Sequence, residues 1–164
     1  MMEYLKGVSK EMALGFLELA HTVARDAACS RAKCGVVIVG GDGSLLGSGF
    51  NSPAGNDESE RRCERKKSEY HEKVTDKTCC IHAEQRAIMD ALIAGNVKRL
   101  EGSIMYFVRL DDGVVISDER EPYCTICSKM MVEFGLGAFV RYFKGEVVSY
   151  DVREYNRISF DYHG

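Results

Sequence analysis

The sequence predicts an α/β protein in which a mixed β-sheet is covered by helices on both faces. Helical and strand patterns follow one another in the order helix, hairpin, helix, strand, helix, strand, strand. With 45% apolar residues, 29% charged residues and only two prolines, the composition is typical of a folded globular protein. The 164 residues are enough for one core, and we expect residues 1–164 to form a single domain.

The N-terminal part predicts a long helix followed by a β-hairpin. Ser9 can cap a helix that ends near Cys29, because apolar residues recur between them at helical spacing. The runs 34–39 and 44–50 are rich in apolar and β-branched residues and predict two strands. A glycine-rich turn joins these runs, so we expect the strands to pair with each other.

The segment from about 52 to 80 is predicted to be a polar insertion. It is dense in charge, carries Pro53 and Gly55 near its start, and has few apolar side chains. This composition alone predicts a solvated loop with a short helix. The cysteines and the histidine inside the insertion favour an additional role for it.

The second half of the chain predicts two more helices and several strands. Gly95 and Gly135 are expected to end the two helices, since glycine is a common residue after a helix C-terminus. The predicted elements are a helix at 82–94, a strand at 103–108, a short strand at 114–116, a helix at 123–134 and strands at 138–143 and 146–150. The tail from Asp151 is too mixed in pattern to be assigned.

Charge and cysteine content bear on the class of function. The net charge of −3 gives the chain no overall attraction to a polyanion, so a nucleic-acid partner is not expected. The N-terminal residues lack a signal-peptide pattern and no apolar run is long enough to cross a bilayer, so we expect a cytoplasmic protein without a membrane partner. In that reducing compartment, the seven cysteines are expected to be metal ligands or buried thiols rather than disulfides.

His82, Cys124 and Cys127 have the residue types and spacing of a catalytic zinc site. The two cysteines are one helical turn apart and can bind one ion together, while the histidine begins another predicted helix. Three protein ligands leave a fourth position for water, and Glu84, two residues after the histidine, can move protons for it. Alone, Cys-x-x-Cys also suits a redox pair or half of a structural zinc site, and His-x-Glu has little meaning. The combination favours zinc catalysis.

These motifs carry a family resemblance. His82-Ala83-Glu84, followed later by Cys124-x-x-Cys127, resembles the zinc-dependent cytidine/deoxycytidylate deaminase superfamily. The segments 78–88 and 47–55 are most similar to the deoxycytidylate (dCMP) deaminase branch, including its phage-type members. The resemblance implies a three-layer α/β/α sandwich around a mixed five-stranded sheet, which agrees with the predicted order of elements.

The resemblance also implies a reaction and a set of roles. The expected function is hydrolytic deamination of a free cytosine nucleotide, most simply dCMP to dUMP with release of ammonia, with one catalytic Zn²⁺. Glu84 would take a proton from water, protonate N3 of the pyrimidine and help the amine to leave. The resemblance implies that Asn51 and the backbone N–H near Ala83 hold the substrate, and that the protein is a homo-oligomer.

A second zinc ion is implied by part of the same family. Some phage-type dCMP deaminases carry a structural zinc whose ligand positions correspond here to Cys29, Cys63, His71 and Cys80. A Cys₃His set can complete a tetrahedral site and hold an insertion that lacks apolar residues of its own. The alternative is a group of unrelated thiols, with Cys34 and Cys79 among them as core or spare residues.

Three features depart from the family pattern. Tyr123 separates Pro122 from the first cysteine, which puts in doubt a backbone contact that the family makes to the substrate amino group. The stretch 110–121 is longer than usual, so an added hairpin is expected at the edge of the pocket. Arg86 stands where related dCMP deaminases often have a smaller polar residue.

The identity of the substrate stays open at this stage. A basic group could bind a 5′-phosphate, although such a run is more often a solvated face; its members are Arg61, Arg62, Arg65, Lys66, Lys67 and Arg86. The alternatives are free cytidine or deoxycytidine, a base held in tRNA, and a non-catalytic zinc-stabilised binding module. Of the neighbours Tyr106 and Phe107, at least one must lie in the core because side chains alternate along a strand.

Overall fold

The computed structural model describes residues 1–163. The helices and strands in this part of the chain are β1 Glu3–Tyr4, α1 Gly7–Ala24, β2 Lys33–Val39, β3 Leu45–Phe50, β4 Ser52–Pro53, β5 Cys80–Ile81, α2 Ala83–Ile93, β6 Ile104–Asp111, β7 Val114–Val115, α3 Thr125–Glu133, β8 Ala138–Phe143, β9 Glu146–Asp151 and α4 Val152–Phe160. None of the helices among these elements combines the length and the apolar content needed to cross a membrane.

The main sheet has the strand order β1-β9-β8-β6-β2-β3, and β7 pairs with the end of β6. β6 and β8 are parallel, whereas the other neighbouring strands of this sheet are antiparallel. The five longer strands form the mixed five-stranded sheet that was predicted. The two-residue strands β1 and β7 extend it, so the full sheet has seven strands; β7 was predicted from sequence and β1 was not.

Helices cover both faces of this sheet, which confirms the three-layer α/β/α architecture. Successive residues of β2 point to opposite faces, as the period of a strand requires. Val37 packs in the core on the α1 side, together with Leu17. Val36 packs in the other core, together with Ala87 of α2 and residues of α3 and α4.

The bounds of α1 differ from the prediction of a helix capped by Ser9 and ending near Cys29. The helix spans Gly7–Ala24 and is followed by a turn. The backbone N–H of Ala28 then donates to the carbonyl oxygen of Asn51 at 3.1 Å. This hydrogen bond ties residue 28 to the residue after β3, so the helix cannot continue to Cys29.

The C-terminal tail, which the sequence pattern left unassigned, contains α4. The helix begins after Asp151, whose carboxylate accepts hydrogen bonds from the backbone N–H groups of Arg153 and Glu154 at 3.0 and 3.1 Å. A side-chain acceptor at this position satisfies donors that the first turn of a helix leaves free. α4 packs on α3 and brings Tyr155 into the core beneath the sheet.

The polar insertion is fixed at its two ends. β4 and β5 pair antiparallel, with Ser52 opposite Ile81 and Pro53 opposite Cys80. Between them the chain forms single turns of 3₁₀-helix, and most of its side chains are exposed. The insertion therefore leaves the body of the protein and returns to it at one place, directly before α2.

Two glycines of β3 allow α2 to lie directly against the sheet. A Cβ atom added to Gly47 would lie 2.5 Å from the carbonyl oxygen of Ala87 and 2.7 Å from the nitrogen of Ala91. A Cβ atom on Gly49 would overlap the backbone of Ala83 and Ala87. Any side chain at these positions would push the start of α2 outward.

We expect Gly49→Ala to lower the free energy of unfolding by about 1–3 kcal/mol, because the helix must shift to admit the methyl group. Gly15→Ala is the matched control, since an added Cβ atom at this position in α1 meets nothing within 4 Å. It should raise stability by about 0.5–1 kcal/mol through helix propensity. Urea unfolding of both variants measures the difference, and equal stabilities would contradict the close contact between α2 and β3.

Candidate active site

The three predicted catalytic-metal ligands lie together at the N-terminal ends of two helices. His82 directly precedes α2, Cys124 directly precedes α3, and Cys127 lies in the first turn of α3. Nδ1 of His82 is 3.2 Å from each cysteine sulfur, and the two sulfurs are 2.9 Å apart. Two thiols and one imidazole that converge in this way are a donor set suited to Zn²⁺.

Hydrogen bonds within this group shift the pKa of each of its members. The pKa of Cys124 is lowered to about 5 by its hydrogen bond with Cys127 and, in addition, by its hydrogen bond with His82. The hydrogen bond with Cys124 raises the pKa of His82 to about 9, and the pKa of Cys127 is raised because its sulfur shares a proton with the Cys124 sulfur. One thiolate is thus already stabilised where a metal ion would bring positive charge.

A further residue orients the imidazole. Thr78 Oγ1 lies 3.3 Å from Nε2 of His82, so each ring nitrogen has a polar neighbour. Outer partners of this kind fix the orientation of a metal-binding histidine. Sequence reasoning missed Thr78, because a threonine four residues before a histidine carries no distinctive signal.

Glu84 lies in the first turn of α2 with only 7% of its surface exposed. Burial raises the pKa of this carboxyl group, with the nearby Cys124 sulfur adding to the effect. Glu84 and the preceding Ala83 both line the same cavity as His82 and Cys124. A buried carboxyl group beside the three ligands is placed to exchange protons with a molecule in that cavity.

Asn51 lines the cavity, but its side chain is already engaged by the backbone. Its Oδ1 accepts a hydrogen bond from the N–H of Cys34 at 2.8 Å, and its Nδ2 donates to the carbonyl oxygen of Ala32 at 2.9 Å. These bonds hold the start of β2 against the end of β3. The structure therefore gives Asn51 a structural task in addition to the predicted contact with substrate.

The cavity has a volume of about 310 Å³, at the lower end of the range for small-molecule sites. Four aromatic side chains contribute to its walls: Phe107, Tyr123, Phe139 and Tyr155. Phe107 is thus the strand aromatic that faces the cavity, while the neighbouring Tyr106 packs on the α1 side. Sequence reasoning missed Phe139, because nothing local marks it apart from other core residues, and Tyr155, because the helix that carries it was left unassigned.

The predicted hairpin at 110–121 is present and borders the cavity. β6 and β7 pair antiparallel, and the chain then returns past Asp118 and Pro122 to Tyr123, all three of which line the cavity. The ring of Tyr123 packs against that of Tyr162, with centroids 5.0 Å apart. The extra length of this connection therefore supplies part of the cavity wall.

A second group of thiols joins the insertion to the body of the protein. The sulfur of Cys79 is 2.9 Å from that of Cys63 and 3.7 Å from that of Cys80, and Cys29 lies near enough to Cys80 to help raise its pKa. Burial opposes ionisation of Cys63, but hydrogen bonds from Cys79 and Ser30 lower its pKa to about 6. Burial raises the pKa of Cys80.

The structure places one member of the predicted second ligand set apart from the others. His71 is exposed, and its Nδ1 accepts a hydrogen bond from the backbone N–H of Lys73 at 3.1 Å, so it stays outside the thiol group. Cys79, which was interpreted as a core or spare residue, lies inside it. The histidine was chosen from the family resemblance alone, which says nothing of how this insertion folds.

Most of the basic residues considered for phosphate binding have other neighbours. Lys67 lines the cavity. The others with defined neighbours are Arg61 beside Glu58, Arg62 beside Glu60, Arg65 over the ring of Tyr70, and Arg86 beside the carbonyl oxygen of Pro53. Three arginines that were not considered line the cavity instead: Arg31, Arg109 and Arg141.

Comparison with known proteins adds a family and a fold. The sequence model described as the cytidine and deoxycytidylate deaminase zinc-binding region matches residues 10–143. The dCMP deaminase of cyanophage S-TIM5 in complex with dCMP and dUMP is 21% identical, with a TM-score of 0.55 over 82% of this chain and 83% of that chain. Its apo form is 22% identical, with a TM-score of 0.50 over 82% of this chain and 86% of that chain. Cytidine deaminase from Mycobacterium leprae is 15% identical, with a TM-score of 0.49 over 81% of this chain and 88% of that chain. A comparison with curated protein sequences found no match.

The double role of Asn51 leads to a prediction about stability. Asn51→Ala should lower the free energy of unfolding by about 1–3 kcal/mol, because it leaves the Cys34 N–H and the Ala32 carbonyl without their partners. Asn96→Ala is the control: its Nδ2 binds one backbone group, the carbonyl of Leu46, so it should cost less. Denaturant unfolding measures both. If Asn51 acts on substrate alone, Asn51→Ala will unfold like the parent protein.

Proposed function

The chain belongs to the cytidine and deoxycytidylate deaminase family, and we propose that it catalyses the hydrolytic deamination of a free cytosine nucleotide, dCMP to dUMP with release of ammonia. The observation that carries the proposal is the convergence of His82, Cys124 and Cys127 next to a cavity that His82, Cys124 and the buried Glu84 line. Two helix starts that are far apart in sequence provide this arrangement, which a redox pair of cysteines would not require.

The donor set supports a catalytic zinc ion. His82, Cys124 and Cys127 would hold Zn²⁺, which would supply a water molecule made nucleophilic at neutral pH. Three protein donors rather than four are the pattern of catalytic rather than structural zinc sites. Thr78 would hold the imidazole of His82 in the orientation that directs Nδ1 at the two sulfurs.

Glu84 would carry protons between the reacting groups. It would take a proton from the attacking water, deliver one to N3 of the pyrimidine and assist the departure of the C4 amino group as ammonia. Its position at the start of α2 fixes it next to His82, and its burial keeps bulk water from competing for these protons. The rigid first turn of α2 therefore places both a ligand and the proton carrier.

The cavity suits a pyrimidine nucleotide. Phe107 and Phe139 offer flat apolar surface for the base, and the backbone N–H near Ala83 would hold it. The choice of dCMP is supported by the segments 78–88 and 47–55, and by the likeness of the fold to a dCMP deaminase solved with dCMP and dUMP. Arginine and lysine side chains in the lining favour a substrate with negative charge.

We also propose a second, structural zinc ion held by Cys29, Cys63, Cys79 and Cys80. Cys63, Cys79 and Cys80 lie together where the insertion meets the body of the protein, and Cys29 lies near Cys80. Four cysteine thiolates are a known structural zinc set. The insertion has few apolar residues, so a metal link would contribute much of the free energy that keeps it ordered.

The proposal is tested by measuring ammonia release and the change in ultraviolet absorbance with zinc-loaded protein. The substrates are dCMP, CMP, deoxycytidine, cytidine, dCTP and a tRNA anticodon stem. We expect dCMP to be turned over fastest, and activity to disappear after treatment with a chelator and return with zinc. Turnover of the tRNA stem alone would contradict the proposal, as would the absence of turnover on every substrate by protein that contains zinc.

Glu84→Gln preserves the shape of the side chain but removes its ability to carry a proton. We expect activity to fall by roughly 10²- to 10⁴-fold while the zinc content stays unchanged. Glu133→Gln, at the exposed end of α3, is the matched control and should keep full activity. Steady-state rates and metal analysis measure the two effects. Full activity in Glu84→Gln would exclude the proposed role of this residue.

Cys79→Ser separates the two ligand sets considered for the second zinc. We expect zinc content to fall from about two ions to about one per chain, and the melting temperature to fall with it. His71→Ala should leave both unchanged, because His71 lies outside the thiol group. The opposite pattern, with zinc lost in His71→Ala and kept in Cys79→Ser, would restore the ligand set inferred from the sequence.

A further inference from the structure

Arg109 lies on the cavity side of the sheet near the end of β6. It follows Phe107 by two residues and therefore points to the same face, and it stands opposite Cys34 in the pairing of β2 with β6. Both Arg109 and Glu84 line the 310 Å³ cavity. A guanidinium group thus shares the cavity with the proposed proton carrier.

The guanidinium group of Arg109 is poorly satisfied by the rest of the protein. Its Nε is buried and has no hydrogen-bond partner among the described residues. The acidic group nearest to it is Asp118, at 3.7 Å from Nη1, which is too long for a hydrogen bond. The side chain is 28% exposed, so its loss of hydration is partial but substantial. Leaving a cation in this state has a cost that a bound anion would offset.

Asp118 cannot neutralise Arg109 alone, because it is shared by three arginines. Its carboxylate oxygens lie 3.5 Å from Arg141 and 3.9 Å from Arg120, in addition to Arg109. Arg141 is nearly buried, but it also donates to the backbone carbonyls of Tyr142 and Arg120. Of the arginines in this cluster, Arg109 is therefore the one that lines the cavity with a buried N–H group still unpaired.

The segment that carries Asp118 is held on both sides. The N–H of Ile116 donates to the carbonyl of Arg109 at 2.8 Å, and the N–H of Lys144 donates to the carbonyl of Asp118 at 3.0 Å. The position of Asp118 beside Arg109 is thus set by backbone hydrogen bonds to β6 and to the turn after β8. A cation held in this way is already placed before a ligand arrives, which reduces the entropy lost on binding.

The cavity as a whole carries an excess of positive charge. Its lining contains four basic side chains, Arg31, Lys67, Arg109 and Arg141, against two acidic ones, Glu84 and Asp118. The entire chain, in contrast, has a net charge of −3. Positive charge is therefore concentrated where the substrate would lie.

We propose that Arg109, positioned by Asp118, binds the phosphate group of the substrate, so that the cavity selects a nucleotide over a nucleoside. The inference rests on the proposed deaminase function and names the group that sets its substrate class. A phosphate monoester offers several charged oxygens that can accept from the free N–H groups of one guanidinium. Arg31 and Lys67, which are exposed at the cavity, add attraction for the same group.

The test measures binding rather than turnover. Zinc-loaded full-length protein is titrated calorimetrically with dUMP and with deoxyuridine, which differ only in the phosphate. The variants are Arg109→Met, Arg109→Lys and the matched control Arg120→Met. Arg120 belongs to the same Asp118 cluster but does not line the cavity, so its removal changes the cluster charge equally without removing a proposed contact.

We expect the parent protein to bind dUMP more tightly than deoxyuridine. Arg109→Met should weaken dUMP binding by roughly 10- to 100-fold, the loss expected for one or two charge-assisted hydrogen bonds, and leave deoxyuridine binding unchanged. Arg109→Lys keeps the charge without the fork of donors, and should lie between the two. If Arg109→Met does not fold, the comparison of Arg109→Lys with the parent protein provides the test. Arg120→Met should bind both compounds as the parent protein does.

Three results would overturn the inference: no preference of the parent protein for dUMP, an equal loss for dUMP and deoxyuridine in Arg109→Met, or an equal effect of Arg120→Met. These are distinct from failure of the proposed function. Protein that fails to deaminate dCMP but shows an Arg109-dependent preference for dUMP would refute deamination and support the anion site. Protein that deaminates dCMP and deoxycytidine equally well, with no effect of Arg109→Met, would support deamination and refute the anion site.

Discussion

The position of the whole site depends on the contact between α2 and β3. Gly47 and Gly49 present no side chains, so the helix lies on the backbone of the strand and its first turn sits at the edge of the sheet. That turn carries both His82 and Glu84. α3 begins beside it, because the parallel pairing of β6 and β8 brings the connection between them across the same edge. Residues separated by about forty positions in the chain thereby share one cavity.

A short stretch of chain joins the thiol group of the insertion to the group formed by His82, Cys124 and Cys127. Cys79 and Cys80 lie in the thiol group that joins the insertion to the body, and His82 follows two residues later. Thr78, at the other end of this stretch, contacts the imidazole of His82. The pairing of β4 with β5 holds the same residues from the side. A metal ion in the thiol group would therefore stabilise the insertion and help to fix the orientation of His82.

The sequence was informative wherever a function needs fixed residue types at fixed spacing. His82, Glu84, Cys124 and Cys127 were predicted as a site because metal chemistry allows few substitutes, and they lie at the starts of two helices, as the sequence pattern predicted. The layers and the five longer strands followed from periodicity. Tyr155 was missed since the capping role of Asp151 was not recognised, although an aspartate three residues before a glutamate is a common helix start. Arg109 could not be identified, because its meaning depends on Asp118 and Arg141, which reach it only through tertiary pairing.

The distribution of charge argues for a small substrate rather than a polymer. A nucleic acid would need an extended positive surface along its backbone. In the insertion, however, basic residues such as Arg61 and Arg62 lie beside glutamates and present little net charge to solvent. The unbalanced cations are instead inside a cavity of about 310 Å³. A site built in this way suits one compact anion while the chain as a whole stays acidic, and the nucleotide proposed as substrate would have the size and the charge that meet both conditions.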